Sequence, residues 1–181
     1  DKWGLRSQSN VVLGDYIVEL WDSKYSVINT REIDLSSAKL IGEIPTEIRY
    51  LLNLEVLKIQ NNYLTGNFIE ELCTLKNLRH INLSNNQLTG LIPASIHHLR
   101  NLEELWLSRN QFYGELPFQI FMLDNLNHLN LSENKIDGEL SESISRLSNL
   151  EYLNLWDNNM SGLIPRDIGE LDKLEFLSLG S

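Results

Sequence analysis

The chain has 181 residues, of which 42% are hydrophobic and 22% charged, so it has the composition of one folded domain rather than a disordered or collagen-like chain. Its 25 acidic and 15 basic residues give a formal charge of −10, which opposes binding to nucleic acid and favours a basic partner. No apolar run approaches the roughly 18 residues of a membrane span. The single cysteine, Cys73, excludes an internal disulfide and favours a reducing compartment or an excised fragment.

The first 29 residues fall outside the repeated pattern that follows them. They carry the aromatic residues Trp3, Tyr16, Trp21 and Tyr25, and the run from Tyr16 to Trp21 is typical of a strand. We expect residues 1–29 to form a capping segment that covers the open core of the first repeat. A ligand site in this segment is the alternative.

From residue 30 onward, four kinds of residue recur every 24 positions. The members of each series are the glycines Gly42, Gly66, Gly90, Gly114, Gly138 and Gly162, the asparagines Asn62, Asn86, Asn110, Asn134 and Asn158, the prolines Pro45, Pro93, Pro117 and Pro165, and apolar pairs from Ile33 with Leu35 to Leu177 with Leu179. This register predicts a solenoid over residues 30–181, with six 24-residue repeats and a truncated seventh strand.

Each repeated position has a physical role. In Leu105-Trp106-Leu107 two apolar residues alternate with an exposed one, as in a short half-buried strand. Such strands, stacked every ~4.8 Å, form one parallel sheet. The asparagine that follows can bond backbone groups of neighbouring turns, the glycine permits a positive φ, and the proline fixes φ. The spacing of Ile96, Leu99 and Leu102 then predicts a short helical turn on the outer side.

The segment Asn-Gln-Leu-Thr-Gly-Leu-Ile-Pro at 86–93 resembles the signature of plant-type leucine-rich repeats, and the resemblance extends over residues 30–179. It implies an α/β repeat solenoid with a concave parallel β-sheet and a short 3-10 or helical outer side. Members of this family are mostly ligand-binding ectodomains of plant receptor kinases and receptor-like proteins, or inhibitors of cell-wall-degrading enzymes such as polygalacturonase. The resemblance therefore implies a binding function and an extracellular or cell-surface location.

Several positions depart from the family pattern. Ala38 replaces the first asparagine of the series, and the paired cysteines of the usual N-terminal cap are absent. Ile69 and Ser141 replace two prolines, which predicts looser turns at these positions. Cys73 aligns with outer-side positions of the other repeats, so we expect an outward thiol.

The sequence contains none of the common motifs for a catalytic nucleophile, a metal site or a phosphate-binding loop. No helix start or basic cluster accompanies Cys73 to activate its thiol. We therefore predict that the chain is not an enzyme and has no cofactor or metal site.

The exposed strand positions of the predicted concave face suggest a binding patch. Trp106, Tyr152 and Trp156 lie on neighbouring strands, and tryptophan, tyrosine and arginine are common anchors of binding interfaces. The candidate ligand-binding residues are Trp106, Tyr152, Trp156, Arg109, His128, Glu104, Glu133 and Asp157. The alternative interpretation is that these aromatic residues are scattered over the surface without a role in binding.

These features predict a non-catalytic recognition module that binds a peptide or a protein on the concave face. Inhibition of an extracellular enzyme and a structural or ice-binding surface are the alternatives. Because the pattern stops within a repeat, we also expect self-association through the C-terminal edge, or a further repeat that covers Leu177 and Leu179.

Overall fold

The N-terminal part of the structure is an antiparallel hairpin. The computed structural model describes residues 16–67 and 69–180, so Trp3 and the first half of the predicted cap lie outside the described residues. Strands β1 (Ile17–Leu20) and β2 (Ser23–Ser26) are joined by Trp21 and Asp22, both with positive φ, as in the turns that suit a two-residue hairpin. Val18 and Leu20 of β1 are buried, and β1 packs against the first outer turn of the solenoid.

Seven short parallel strands form the concave sheet, in the order in which they occur along the chain. They are β3 (Glu32–Asp34), β5 (Val56–Lys58), β7 (His80–Asn82), β9 (Glu104–Trp106), β11 (His128–Asn130), β13 (Tyr152–Asn154) and β14 (Phe176–Ser178). Residues 24 apart lie directly opposite each other, as His128 does opposite Tyr152. The middle residue of each strand points into the core, and the residues on either side of it face the concave surface. The predicted solenoid and its concave sheet are thus confirmed.

The repeated asparagines link successive coils through backbone groups. The Nδ2 atom of Asn110 donates to the carbonyl oxygens of Leu83 and Leu107, and its Oδ1 atom accepts from the Leu88 amide. Asn62, Asn86, Asn134 and Asn158 make the equivalent bonds. Asn110 is 8% exposed, so this series of bonds satisfies buried polar groups that water cannot reach.

A second parallel sheet, which the sequence pattern did not predict, lies beside the concave sheet. Its five strands are β4 (Ile41–Glu43), β6 (Tyr63–Gly66), β8 (Gln87–Gly90), β10 (Gln111–Glu115) and β12 (Lys135–Asp137). Each strand contains or ends next to a repeated glycine, with φ from 78° at Gly114 to 109° at Gly90. Side chains at Glu43, Leu91, Glu115 and Glu139 occupy the space where a Cβ on the glycine of the next coil would stand. Glycine is therefore needed mainly for its positive φ, because these side chains are exposed and their ends can move.

The outer side consists of short helical turns, as predicted. Five are 3-10 turns at Thr46–Tyr50, Ala94–His98, Phe118–Met122, Glu142–Arg146 and Arg166–Glu170, and the second coil has a single α-helical turn, α1 (Ile69–Leu72). The prediction of a looser turn is wrong at Ser141, where φ is −69° and the side-chain oxygen accepts a hydrogen bond from the Ser143 amide. Serine thus replaces the conformational restriction of proline with a cap bond. In the second coil, where Ile69 replaces the proline, the outer turn is α-helical, whereas the outer turns of the other coils are 3-10.

Cys73 corrects the expectation of an outward thiol, because it is only 2% exposed. Its amide donates to the Ile69 carbonyl oxygen, which continues the α-helical turn and places the side chain under the neighbouring coils. Burial raises the pKa of the thiol to about 11, and the nearby Ser95 hydroxyl only partly opposes this effect. Phe121, in the same column two coils later, is also buried, whereas Arg49 in that column is exposed, so the burial of this position differs between coils.

The core runs as one row of apolar residues through all the coils and becomes exposed at the last one. Leu57, Leu105 and Leu153 are at most 1% exposed, whereas Leu177 at the equivalent position of β14 is 43% exposed. Leu163 in the last coil is 90% exposed. In the described part of the chain, no helix has both the length and the apolar character to cross a membrane.

Candidate ligand-binding site

Four rings form a continuous stack across the C-terminal half of the concave sheet. His128, Tyr152 and Phe176 occupy the same position on β11, β13 and β14, and Trp106 on β9 reaches them from the adjacent column. The ring centroids of Trp106 and Tyr152 are 5.4 Å apart, and those of His128 and Tyr152 are 5.8 Å apart. The rings of Tyr152 and Phe176 are nearly parallel, with centroids 4.4 Å apart. We call Trp106, His128, Tyr152 and Phe176 the ring stack.

The ring stack is connected to a cluster of polar side chains at its N-terminal end. The indole Nε1 of Trp106 donates to Oε2 of Glu104 at 3.0 Å, which fixes the orientation of the tryptophan ring. The other carboxylate oxygen of Glu104 is 3.4 Å from Nδ1 of His80. His80 Nε2 lies 3.6 Å from Oε2 of Glu103, so the imidazole contacts the carboxylates of two consecutive residues on the next coil.

A column of alternating charges borders the sheet where the strands begin. Arg31 pairs with Glu55 one coil later, and Arg79 pairs with Glu103 in the same way. The Glu103 carboxylate accepts hydrogen bonds from the Arg79 guanidinium and so raises the pKa of that group above its usual value. This column was missed in the sequence, although the alternation of arginine and glutamate every 24 residues signals it. The last two members, Glu151 and Glu175, are exposed and have no ion pair in the described chain.

The opposite border lies at the turn that follows each strand. Arg109 donates from Nε to Oε1 of Glu133 at 2.7 Å, which joins two of the predicted polar residues. Arg109, Glu133 and Asp157 all have φ near 55°, a left-handed conformation that is unusual for residues other than glycine. This backbone conformation repeats in Ser37, Asn61 and Asn85, so it is a property of the turn and not of one residue.

Trp156 differs from the other predicted aromatic residues in its position. It lies in the turn after β13 and is 45% exposed. The ring contacts of the described residues include Trp106 and Tyr152 but not Trp156. The structure therefore brings together Trp106, His128, Tyr152 and Glu104, and separately Arg109 and Glu133, while Trp156 and Asp157 stand at the border.

Asparagine and aspartate side chains at the ends of four of the concave strands also organise the start of the turn that follows. Oδ1 of Asn130 accepts from the amide and the hydroxyl of Ser132, and Oδ1 of Asn154 accepts from the Trp156 amide. On the first strand, Asp34 accepts from Ser36, and these hydrogen bonds lower the pKa of the Asp34 carboxyl. The strand-to-turn geometry beneath the polar border is thus held by local side-chain bonds.

The arrangement is suited to binding a ligand. Stacked rings offer a flat apolar surface, and nearby carboxylates favour cationic groups that can also lie over an aromatic face. Among the described residues, no group of three or more histidine, cysteine, aspartate or glutamate side chains is placed to hold a metal ion. Cys73 is buried outside this face, and burial disfavours its thiolate form.

The model of the leucine rich repeat family matches residues 52–112 and 124–181, which together are more than half of the chain. A comparison with curated proteins gave no match. The chain is similar to many solved structures, and several of these are ectodomains of plant receptor kinases.

One such structure is the ectodomain of the receptor kinase GASSHO1/SCHENGEN3 from Arabidopsis thaliana in complex with CASPARIAN STRIP INTEGRITY FACTOR 2. It is 38% identical, with a TM-score of 0.82, and the match covers 84% of this chain and 18% of that chain. The Arabidopsis receptor kinase HAESA ectodomain, in complex with an IDA peptide hormone, is 35% identical over 77% of this chain and 23% of that chain, with a TM-score of 0.74.

The ectodomain of the receptor kinase SOBIR1 from Arabidopsis thaliana is more similar in length. It is 26% identical, with a TM-score of 0.67, and the match covers 87% of this chain and 80% of that chain. The chain therefore spans most of one short ectodomain, but only about a fifth of the two receptors in complex with ligands.

Proposed function

Because this chain belongs to the leucine-rich-repeat family, we propose that it is a non-catalytic recognition module that binds a peptide or protein on its concave sheet. The ligand lies across strands β9, β11, β13 and β14 of the concave sheet. The residues that contact it are the predicted set, Trp106, Tyr152, Trp156, Arg109, His128, Glu104, Glu133 and Asp157, and we add Phe176.

The observation that carries this proposal is the ring stack. A solenoid needs no aromatic residues on its concave surface, since its core is already filled by leucine and isoleucine. Yet Trp106, His128, Tyr152 and Phe176 are joined by a series of ring contacts across four successive strands of the concave sheet. Large rigid side chains of this kind lose little conformational entropy on binding, so they are effective anchors for a ligand.

Similar proteins support a peptide as the ligand. The GASSHO1/SCHENGEN3 and HAESA ectodomains were solved with CASPARIAN STRIP INTEGRITY FACTOR 2 and an IDA peptide hormone, respectively. The exposed strand positions of this chain form a surface whose flat area is smaller than the ~800 Å² that each partner buries in a standard protein interface. A peptide or a small domain therefore fits this surface better than a large rigid protein.

The charge of the chain indicates the character of that ligand. The net charge is −10, and Glu151, Glu175 and Asp157 are exposed around the ring stack. A ligand with basic side chains would be attracted by this field and could place a cationic group over Tyr152 or Phe176. We expect the attraction to act mainly on the association rate.

The test is a selection of peptides from a random displayed library on the immobilised chain. Each selected peptide is then measured against the chain and against a Trp106→Ala/Tyr152→Ala double variant by calorimetry. We expect enrichment of peptides that contain arginine or lysine, with at least about thirtyfold weaker binding to the double variant. Peptides that bind both proteins equally, while circular dichroism shows the variant to be folded, would exclude the ring stack as the binding site.

A further inference from the structure

The outer face of the third to fifth coils carries a depression that the concave site does not involve. It has a volume of about 480 Å³ and lies between neighbouring 3-10 turns. Its lining consists of His97, Arg100, Asn101, Phe121, Met122, Asp124, Asn125 and Arg146. This volume falls in the range of roughly 300–1,000 Å³ that is typical of ligand sites.

Two arginines of this depression have no acidic partner. Arg100 and Arg146 are exposed, and no carboxylate in the described chain lies within ion-pair distance of either one. Asp124 is part of the lining but is not paired with them. By contrast, Arg31, Arg79 and Arg109 each pair with a glutamate. In a chain with ten more acidic than basic residues, two unpaired arginines beside one depression are available for a negatively charged ligand.

Exposed apolar side chains accompany these arginines. Phe118 is 48% exposed and Met122 is 43% exposed. The guanidinium carbon of Arg146 lies 5.4 Å from the ring centroid of Phe118, so the aromatic ring holds this cation on the surface. Arginine and aromatic residues are frequent anchors of protein interfaces, and methionine adapts to partners of different shape.

We propose that this outer face, formed by Arg100, Phe118, Met122 and Arg146, is a second docking surface that binds an acidic, amphipathic peptide segment of a partner protein. The carboxylates of the segment bind the two arginines, and its apolar side chains cover Phe118 and Met122. A nucleic acid would place many phosphates against a chain with a net charge of −10, whereas a short acidic segment reaches the arginines locally. The outer face thus presents positive charge to an acidic partner, whereas the concave site presents negative charge to a basic ligand.

The probe is a fluorescein-labelled synthetic peptide that repeats Glu-Glu-Phe, and binding is measured by fluorescence anisotropy with the full chain. We expect saturable binding that weakens as salt is added. The variant Arg100→Glu/Arg146→Glu should weaken binding by roughly tenfold or more. Phe118→Ser, which leaves the net charge unchanged, should weaken it by at least about threefold.

The matched control is Arg49→Glu/Arg166→Glu, which changes the net charge equally at two other exposed outer-face arginines. Its affinity should stay within about twofold of that of the original chain, as should the affinity of Trp106→Ala. An equal loss of peptide affinity in the control would show a general charge effect and would overturn the proposal. A loss of peptide affinity in Trp106→Ala would place the peptide on the concave face and would also overturn it. Absence of binding, or equally arginine-dependent binding of heparin that displaces the peptide, would also overturn it. None of these results bears on the concave site, whose ligands are measured separately.

Discussion

The side-chain amide of Asn110 donates a hydrogen bond to the carbonyl oxygen of Leu83, 27 residues earlier in the chain, at 3.0 Å. The same nitrogen also donates to Leu107, so one buried side chain bonds to backbone groups of two coils. Asn110→Ala would leave the Leu88 amide without its partner, and each of the two carbonyl oxygens would lose one of its bonds while keeping one from another asparagine of the series. We expect a loss of roughly 1–3 kcal/mol in the free energy of unfolding, measured by urea denaturation.

Asn125 provides a matched comparison for this prediction. Its Nδ2 atom donates to the Arg100 carbonyl oxygen at 2.8 Å, and Asn53, Asn77, Asn101 and Asn149 make equivalent bonds. Asn125 is exposed, so water can replace its bond. Asn125→Ala should therefore cost less than about 1 kcal/mol. Equal losses for the two variants would contradict the assignment of the larger effect to burial.

The glycine series leads to a second prediction. A Cβ on Gly114 would stand 2.5 Å from Cδ2 of Leu91, and φ at Gly114 is +78°. Gly114→Ala should cost roughly 1–2 kcal/mol, mainly because alanine resists a positive φ, since the exposed end of Leu91 can move. Gly169→Ala is the control, because a Cβ there meets nothing within 4 Å and its φ is not positive. Thermal melts in which both variants lose the same stability would refute this explanation.

The sequence predicted those features of the fold that one residue type controls at one position. The asparagines from Asn62 to Asn158 come after the concave strands, and the glycines from Gly42 to Gly162 recur in the same register, so their 24-residue spacing predicted the concave sheet and its register. The second sheet was missed because its strands contain or adjoin the repeated glycine, as Gln87–Gly90 does, and glycine in a sequence indicates a turn rather than a strand. Cys73 was misplaced because its burial depends on neighbouring coils, which the local helical spacing does not show.

The candidate site was predictable in composition but not in geometry. The columns of the repeat placed Trp106, His128 and Tyr152 on one face, and the structure brings their rings into contact. The spacing also placed Trp156 near them, but its turn position keeps it outside the ring stack. Side-chain rotamers decide which neighbours in a sheet touch, and a sequence pattern does not specify them.

Cys73 leads to a prediction for alkaline pH. The pKa of its thiol rises from 9.0 to about 11 on burial, so the folded chain keeps a proton that the unfolded chain loses between these values. The contribution of the neutral thiol to stability is therefore complete below pH 9 and declines as the pH rises toward 11. We expect the stability difference between the original chain and Cys73→Ala to shrink over this interval in urea melts. A constant difference would show that the thiol is not desolvated.

The exposed apolar edge of the last coil leads to a prediction of self-association. Leu177 and Phe176 are more than two-fifths exposed on β14, whose free edge also offers unpaired backbone groups. We expect concentration-dependent association in sedimentation velocity experiments, and Leu177→Lys should reduce it. Leu52→Lys, at an exposed outer position, is the control and should leave association unchanged. A monomer at all concentrations would contradict this prediction.

The ring stack makes Trp106 and Trp156 unequal in their expected effects on ligand binding. Trp106 contacts His128 and Tyr152 and is oriented by Glu104, whereas Trp156 lies in a turn and its ring contacts no other ring of the described residues. A prearranged side chain loses less entropy on binding. Trp106→Ala should therefore weaken the binding of a selected peptide by about 2 kcal/mol or more, or roughly thirtyfold. Trp156→Ala should weaken it less, and Glu133→Gln should act mainly on the association rate and its salt dependence. Calorimetry and stopped-flow measurements of the three variants test this order, with circular dichroism as the control for folding. A larger loss for Trp156→Ala than for Trp106→Ala would move the centre of the site from the ring stack to the turns that border the sheet.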